Sequence, residues 1–224
     1  IRPFAYTLGI EKKSSLKFDA IIVDEAQDLS PDSWMPIELL LRSSSSFFFT
    51  LSDTNQSLFA NVSSIPNLSK PFLLSTNCRN TKKIHEMAYE NYEGPLINPP
   101  KIKGQNLNLV KASSVNEQVE AMFKIINDLY NKDSVDLRKI VVLIANSNNY
   151  QYSYNLLSKN KKINFHTNEF DIENSILVST IKMFKGLESD ILIIWGLNDL
   201  PASESKQLNY VGISRAKSIC YLVN

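Results

Sequence analysis

Short apolar runs alternate with longer stretches of helical periodicity along the chain. Runs rich in β-branched and aromatic residues predict strands at 20–23, 47–51, 72–75, 107–111, 139–145, 175–180, 190–195 and 218–223. Apolar residues three and four positions apart predict helices from Ser30-Pro31 to Leu41 and at 81–92, 115–130, 150–159 and 205–215. Strands that alternate with helices indicate an α/β fold with a parallel sheet, and the first two runs are apolar enough to be buried on both faces.

The first predicted strand leads directly into carboxylates, in the stretch FDAIIVDEAQD from Phe18 to Asp28. In open α/β sheets, ligands bind at the carboxyl ends of strands. An aspartate there can bind Mg²⁺, which prefers hard oxygen ligands, and a neighbouring glutamate can polarise a water molecule. Asp24 and Glu25 are therefore candidates for Mg-nucleotide chemistry, with an acidic surface turn as the alternative.

Four further blocks of polar residues accompany later strands. They are LSDTNQ at 51–56, LSTNCRN at 74–80, STIKMFKGLE at 179–188 and NYVGISRAK at 209–217. With DEAQD, and in this order, they resemble motifs II to VI of the UvrD/Rep-like superfamily 1 helicases. The resemblance extends from Phe18 to Val223.

The resemblance implies two RecA-like (P-loop NTPase) domains. Residues 1–70 would be the last part of the first domain, with motifs II and III. Residues 71–224 would be the second, nearly complete domain, with motifs IV to VI. The accessory domain of larger members would be absent or minimal, because about ten residues separate Phe165 from Ser175. The implied activity is that of an ATP-dependent DNA helicase or translocase that moves 3′ to 5′ on single-stranded DNA.

The resemblance also assigns roles in ATP hydrolysis. Asp24 would contact Mg²⁺ and Glu25 would activate the attacking water. Gln56 would sense the γ-phosphate. Arg79 and Arg215 would reach that phosphate, where a guanidinium stabilises the charge of the transition state. Taken singly, each arginine also fits a surface salt bridge.

Other assignments concern the ribose and the DNA. Glu188 resembles the motif V glutamate near the ribose, and Gly186 would permit a close approach of the backbone. Thr180 and Lys182, in motif V, are candidates for DNA contacts. Phe59 lies where a base would stack on an aromatic ring, although it fits a core position equally well.

Three positions depart from the pattern of the family. Asn61 replaces a second aromatic residue, Cys78 stands where motif IV has tyrosine, and Lys182 stands where motif V has histidine. These departures keep open a second interpretation, in which a helicase-like scaffold binds nucleic acid or protein without hydrolysing ATP. The two histidines, His85 and His166, show no pattern of partners and are expected to be structural or solvated.

The chain has no G-x-x-x-x-G-K-[ST] segment to bind the β- and γ-phosphates. In the family this Walker A segment lies upstream of motif II. We therefore expect the chain to be a fragment whose missing partner is an N-terminal Walker A segment of the same protein, and to be inactive alone.

Composition adds little to this picture. The formal net charge of +1 gives no general attraction for nucleic acid, but residues 70–111 carry seven basic and three acidic side chains. Two distant cysteines, without metal-ligand spacing, are expected to be reduced thiols of a cytoplasmic protein. No apolar run approaches the roughly 18 residues of a membrane span, so no membrane partner is expected.

Overall fold

A computed structural model describes residues 16–53, 71–167 and 172–224 of the chain. Gln56, Phe59 and Asn61 lie outside these ranges. The chain divides into two compact units, Ile1–Leu73 and Leu74–Asn224.

The described part of the first unit contains a pair of parallel strands, β1 (Ala20–Val23) and β2 (Phe47–Thr50). Between them, a 3₁₀ turn at Pro31–Ser33 leads into a short helix, α1 (Trp34–Glu38). The predicted helix continues to Leu41 and is too long there. Phe18 instead donates to the carbonyl of Leu40, so tertiary pairing ends the helix.

Both strands are present and parallel as predicted, but they are not buried on both faces. Ile22, Phe47 and Phe49 are 67%, 65% and 55% exposed, and the Phe47 and Phe49 rings stack at 6.1 Å. A parallel pair covers both faces only when further layers pack on it. Among the described residues of this unit, no further strand joins the pair.

The residues that the structure describes in the second unit form a sheet of six parallel strands in the order β3-β8-β7-β4-β6-β5. Their bounds are Asn108–Val110, Ile140–Ile144, Asn164–His166, Ser175–Thr180, Ser189–Trp195 and Ala216–Val223 for β3 to β8. The predicted α/β fold with a parallel sheet is confirmed. The central strand β4 is buried at all five positions, as its unbroken apolar sequence IVVLI requires.

In the described part of this unit, four α-helices pack on the sheet: α2 (Lys82–Tyr89), α3 (Val115–Asn131), α4 (Tyr150–Leu157) and α5 (Ala202–Ile213). α3 begins at Ser114, whose side chain accepts from the amide of Glu117, as an N-cap should. Its apolar stripe includes Met122 and Ile126, which are fully buried in a cluster with Ile140 and Val142 of β4.

Two predictions about strands are wrong. Residues 72–75 form no strand, and Phe72 is 88% exposed; only Thr76 makes an isolated bridge, to Asn98. Conversely, Asn164–His166, where no strand was predicted, forms strand β5 at the edge of the sheet. An apolar run forms a strand only where a neighbouring strand is available, and the three residues of β5 carry little local signal.

None of the helices in the described ranges is long and apolar enough to cross a membrane.

Candidate functional site

The predicted carboxylates lie in a turn that joins β1 to the end of β2. Val23 accepts from the amide of Leu51 at 2.8 Å, and the amide of Ala26 donates to Leu51 at 2.9 Å. Asp24 is exposed, and its Oδ1 accepts from the amide of Glu25 at 2.9 Å. The turn therefore directs the Asp24 carboxylate to solvent at the carboxyl end of the strand.

Glu25 has a left-handed backbone, with φ at 50°. For a residue with a Cβ this conformation costs roughly 1–2 kcal/mol, so the surroundings must stabilise it. Such strain is often found at functional sites. The two carboxylates consequently differ in setting, because Asp24 is exposed whereas Glu25 is half-buried in a strained turn.

Gln27 ties this turn to the second strand, a role that the sequence did not predict. It is only 2% exposed. Its Nε2 donates to Glu25 Oε2 at 2.5 Å, and its Oε1 accepts from the amide of Asp53 at 3.1 Å. The sequence signal was present in DEAQD, as a glutamine two residues after the glutamate.

A magnesium site here would depend on few protein ligands. Within the described ranges, no group of three or more His, Cys, Asp or Glu side chains could hold a metal ion. Mg²⁺ usually keeps several waters and takes one or two carboxylates together with phosphate oxygens. The exposed carboxylate of Asp24 is suited to be one such ligand.

In the second unit, Asn80 fastens the predicted motif IV turn to the start of β8. Its buried amide nitrogen donates to the carbonyls of Ser214 at 2.9 Å and Ala216 at 2.6 Å. Its Oδ1 accepts from Asn77 Nδ2 at 2.7 Å, and Asn77 Oδ1 in turn accepts from the amide of Arg79 at 2.9 Å. Two asparagines without a predicted role thus fix the backbone that carries Arg79.

Arg79 and Glu188, predicted from separate motifs, form an ion pair. Arg79 Nε donates to Glu188 Oε2 at 2.7 Å, with 39% and 44% of the two side chains exposed. Lys217 Nζ lies 3.8 Å from Glu188 Oε1 and 3.0 Å from Asp190 Oδ1. The hydrogen bond to Asp190 raises the pKa of the Lys217 ammonium, so this lysine remains charged in the network.

Arg215 lies beside this network in the chain but is buried, with 1% of the residue exposed. Its Nε donates to the carbonyl of Val211 at 3.1 Å, and Nη2 donates to Ser214 Oγ at 3.1 Å. These bonds bind the guanidinium to the C-terminal end of α5.

Glu188 and Arg215 occupy the amino edge of the sheet. Each immediately precedes a strand, β7 and β8, and the amide of Ser189 donates to the carbonyl of Arg215 at 3.0 Å. The Asn80 contacts bring Arg79 to the same edge. In this unit the predicted nucleotide residues therefore meet at the amino ends of strands, whereas Asp24 and Glu25 follow the carboxyl end of β1.

The predicted DNA residues of motif V lie at the opposite edge, where β6 ends. Thr180 is buried, and its Oγ1 accepts from the amide of Met183 at 3.1 Å. Lys182 Nζ forms an ion pair with Glu204 Oε2 of α5 at 2.7 Å. The segment 181–188 then runs from the carboxyl end of β6 to the amino end of β7, so it connects the two groups of candidate residues.

Gly186 lies in this connecting segment with φ at +84°. A Cβ added there would meet no atom within 4 Å. The positive φ, and not a lack of space, is therefore the reason for a glycine at this position. The open space beside it leaves room for a ligand to approach the backbone.

The two cysteines are free thiols, Cys78 exposed in the motif IV turn and Cys220 buried in β8. Burial raises the pKa of the Cys220 thiol to about 12, so this group is unreactive.

No family model matches the chain, and comparison with curated proteins finds no relative. Solved structures do match. The C-terminal domain of a possible DNA helicase from Lactobacillus plantarum WCFS1 aligns with 64% of this chain and 84% of its own length, at 17% identity and a TM-score of 0.53.

The arterivirus nonstructural protein 10, a helicase, aligns with 95% of this chain at 16% identity and a TM-score of 0.51. Its complex with DNA aligns over the same share at 13% identity and a TM-score of 0.54. The chain spans about 40% of the length of the arterivirus protein. The structural neighbours are helicase domains, and the chain has a helicase-like α/β fold with the parallel sheet of a RecA-like domain.

Proposed function

We propose that this chain is part of a nucleic-acid-dependent ATPase of the helicase type, which hydrolyses ATP to ADP and phosphate and moves 3′ to 5′ on single-stranded DNA. One observation carries the proposal. Asn80 links the Arg79 turn to the strand that follows Arg215, so two arginines 136 positions apart share one edge of the sheet with Glu188. The resemblance in sequence and the helicase-like fold support it.

In this proposal Glu25 accepts a proton from the water that attacks the γ-phosphate. Arg79 and Arg215 stabilise the charge that develops on the phosphate oxygens. Mg²⁺, held in part by Asp24, would neutralise charge on the nucleotide phosphates. The phosphate leaves with the oxygen of the water, and ADP retains the bridging oxygen.

Arg79 must leave Glu188 to act on a phosphate. An exposed ion pair of this kind contributes at most about 1 kcal/mol, because water screens the two charges. Lys217 remains beside Glu188 and balances its charge when Arg79 moves away. The pair therefore keeps the arginine near the edge at little energetic cost.

A cluster of lysines supports binding of nucleic acid. The amides of Lys82 and Lys83, at the start of α2, donate to the carbonyls of Ile102 and Lys103. This pairing brings Lys82, Lys83, Lys101 and Lys103 together, with Glu86 as the nearby carboxylate. Within the described ranges, neither Lys101 nor Lys103 forms an ion pair, so both ammonium groups are available to phosphates.

The decisive experiment is ATP hydrolysis by the full-length gene product, with and without single-stranded DNA, and by its Glu25→Gln variant. We expect DNA-stimulated turnover that the variant abolishes while it still binds ATP, because glutamine cannot accept the proton. Turnover that persists in the variant would refute the role of Glu25. The 224-residue chain, assayed in parallel, should be inactive because it has no phosphate-binding segment of the Walker A type.

The contacts of the arginines favour one alternative, a helicase-like scaffold that binds nucleic acid without hydrolysis. Arg215 is buried and bonded to a helix end, and Arg79 is paired with Glu188. Nucleic-acid binding by a full-length protein that shows no turnover would establish this alternative.

A further inference from the structure

We infer that Gln27 is a positioning residue that orients the Glu25 carboxylate and couples it to the end of β2. The inference rests on the proposed function, since it assumes that Glu25 activates water. It adds a residue to which neither the motifs nor the comparisons give a role.

The nitrogen and the oxygen of the Gln27 amide are both hydrogen-bonded. Buried polar groups need hydrogen-bond partners, and Gln27 is 2% exposed. Its nitrogen donates to Glu25 Oε2 and its oxygen accepts from the amide of Asp53, 26 positions away. The amide nitrogen of Gln27 therefore holds the Glu25 carboxylate, and its oxygen holds the backbone at Asp53, just after β2.

The two bonds require a side chain with both a donor and an acceptor at its end. An ionised glutamate at position 27 could accept from the Asp53 amide, but it would have no proton to donate to Glu25 and would repel the Glu25 carboxylate. A methionine would fill a similar volume and make neither bond. Glutamine is thus the residue of this length that satisfies both partners; Gln27→Glu removes only the bond to Glu25, whereas Gln27→Met removes both bonds.

Glu25 itself has a strained backbone. With φ at 50°, the residue remains in the left-handed region only if several interactions fix it. The bond from Ala26 to Leu51 holds the backbone after Glu25, and the bond from Gln27 holds its carboxylate. A displacement of Asp53, three residues beyond the end of β2, would therefore move the Glu25 side chain through Gln27.

The test uses Gln27→Glu and Gln27→Met. Gln118→Met is the matched control, because Gln118 Oε1 accepts from Trp195 Nε1 at 2.7 Å in the other unit. Turnover, KM for ATP and the Kd of a non-hydrolysable ATP analogue are measured in the full-length gene product. Hydrogen exchange of the Asp53 amide is measured by NMR in the 224-residue chain, and unfolding midpoints show that each variant is folded at the assay temperature.

We expect Gln27→Glu to lower kcat by about 10²-fold, the scale for a misplaced catalytic group, with KM and Kd little changed. The Asp53 amide should remain protected in this variant and exchange faster in Gln27→Met, which should also abolish turnover. Gln118→Met should change neither kcat nor the exchange of Asp53.

A normal kcat in Gln27→Glu, or an Asp53 amide equally protected in Gln27→Met, would overturn the inference and leave the proposed function intact. A similar fall of kcat in Gln118→Met would also overturn it, because the loss of a glutamine hydrogen bond far from Glu25 in the chain would then suffice. A wild-type protein without turnover would refute the proposed function and the inference together.

Discussion

Arg79 and Glu188, which are 109 positions apart, are joined by a hydrogen bond of 2.7 Å between Nε and Oε2. Each was selected from a different sequence block, and the bond shows that both blocks reach the same edge of one sheet. The pair is exposed enough that its contribution to stability is small. Its importance therefore lies in what the arginine does when it is released.

The first prediction concerns Arg79→Ala in the full-length gene product. We expect turnover to fall by about 10³-fold, because an arginine that stabilises phosphoryl transfer contributes on that scale. The unfolding midpoint should barely change. Arg138→Ala is the control, since Arg138 pairs with Asp136 at similar exposure. An equal fall of turnover in both variants would contradict a specific role for Arg79.

The second prediction concerns Asn80→Ala. The carbonyls of Ser214 and Ala216 would no longer have their donor, and a buried unsatisfied group costs about 1–3 kcal/mol. We expect the free energy of unfolding in urea to fall by that amount. Asn155→Ala, on the exposed side of α4, should change it by less than about 0.5 kcal/mol. If Asn80→Ala leaves the free energy of unfolding unchanged, other contacts hold the turn.

The third prediction concerns the lysine cluster. Lys101→Glu with Lys103→Glu should weaken binding of single-stranded DNA, and the slope of log K against log salt should fall by about one for each phosphate that the protein no longer neutralises. Fluorescence anisotropy at several salt concentrations measures both. Lys159→Glu with Lys161→Glu, an equal change of charge in the α4–β5 loop, should have less effect. Equal effects would mean that only net charge matters.

The fourth prediction concerns pH and His85. Burial lowers the pKa of this imidazole, and Glu86 opposes the shift. Its Nδ1 lies 3.0 Å from Asn77 Nδ2, which can donate only when that ring nitrogen is unprotonated. The pKa of His85 is lower in the folded than in the unfolded chain, where it has its ordinary value of about 6.5. As the pH falls below that value, protons bind the unfolded chain more tightly, so the free energy of unfolding decreases.

The unfolding midpoint should therefore be lower at pH 5.5 than at pH 7.5. In His85→Gln this difference should shrink, because glutamine does not titrate. NMR of the imidazole protons can follow the titration of His85 directly. A midpoint that rises on acidification would contradict the assignment of a neutral, buried His85.

The local sequence predicted most of the second unit correctly. The strand at 175–180 has the predicted bounds, and α3 ends one residue later than predicted. These elements carry strong local patterns, such as SILVST and the apolar stripe of α3, and their patterns agree with their burial. Residues 72–75 show the limit of prediction from local sequence, because this apolar run forms no strand and lies exposed.

The sequence by itself predicted most strands and helices in their order along the chain, apart from residues 72–75 and β5, and it proposed the carboxylates after β1 and the two arginines as candidates, because periodicity and motif spacing are local properties. Tertiary structure decided that Glu188 and Arg215 meet at the amino edge, that Glu188 pairs with Arg79, and that Gln27 joins Glu25 to Asp53. Interactions between residues far apart in the chain depend on strand order and register, and these follow from the packing of the whole sheet.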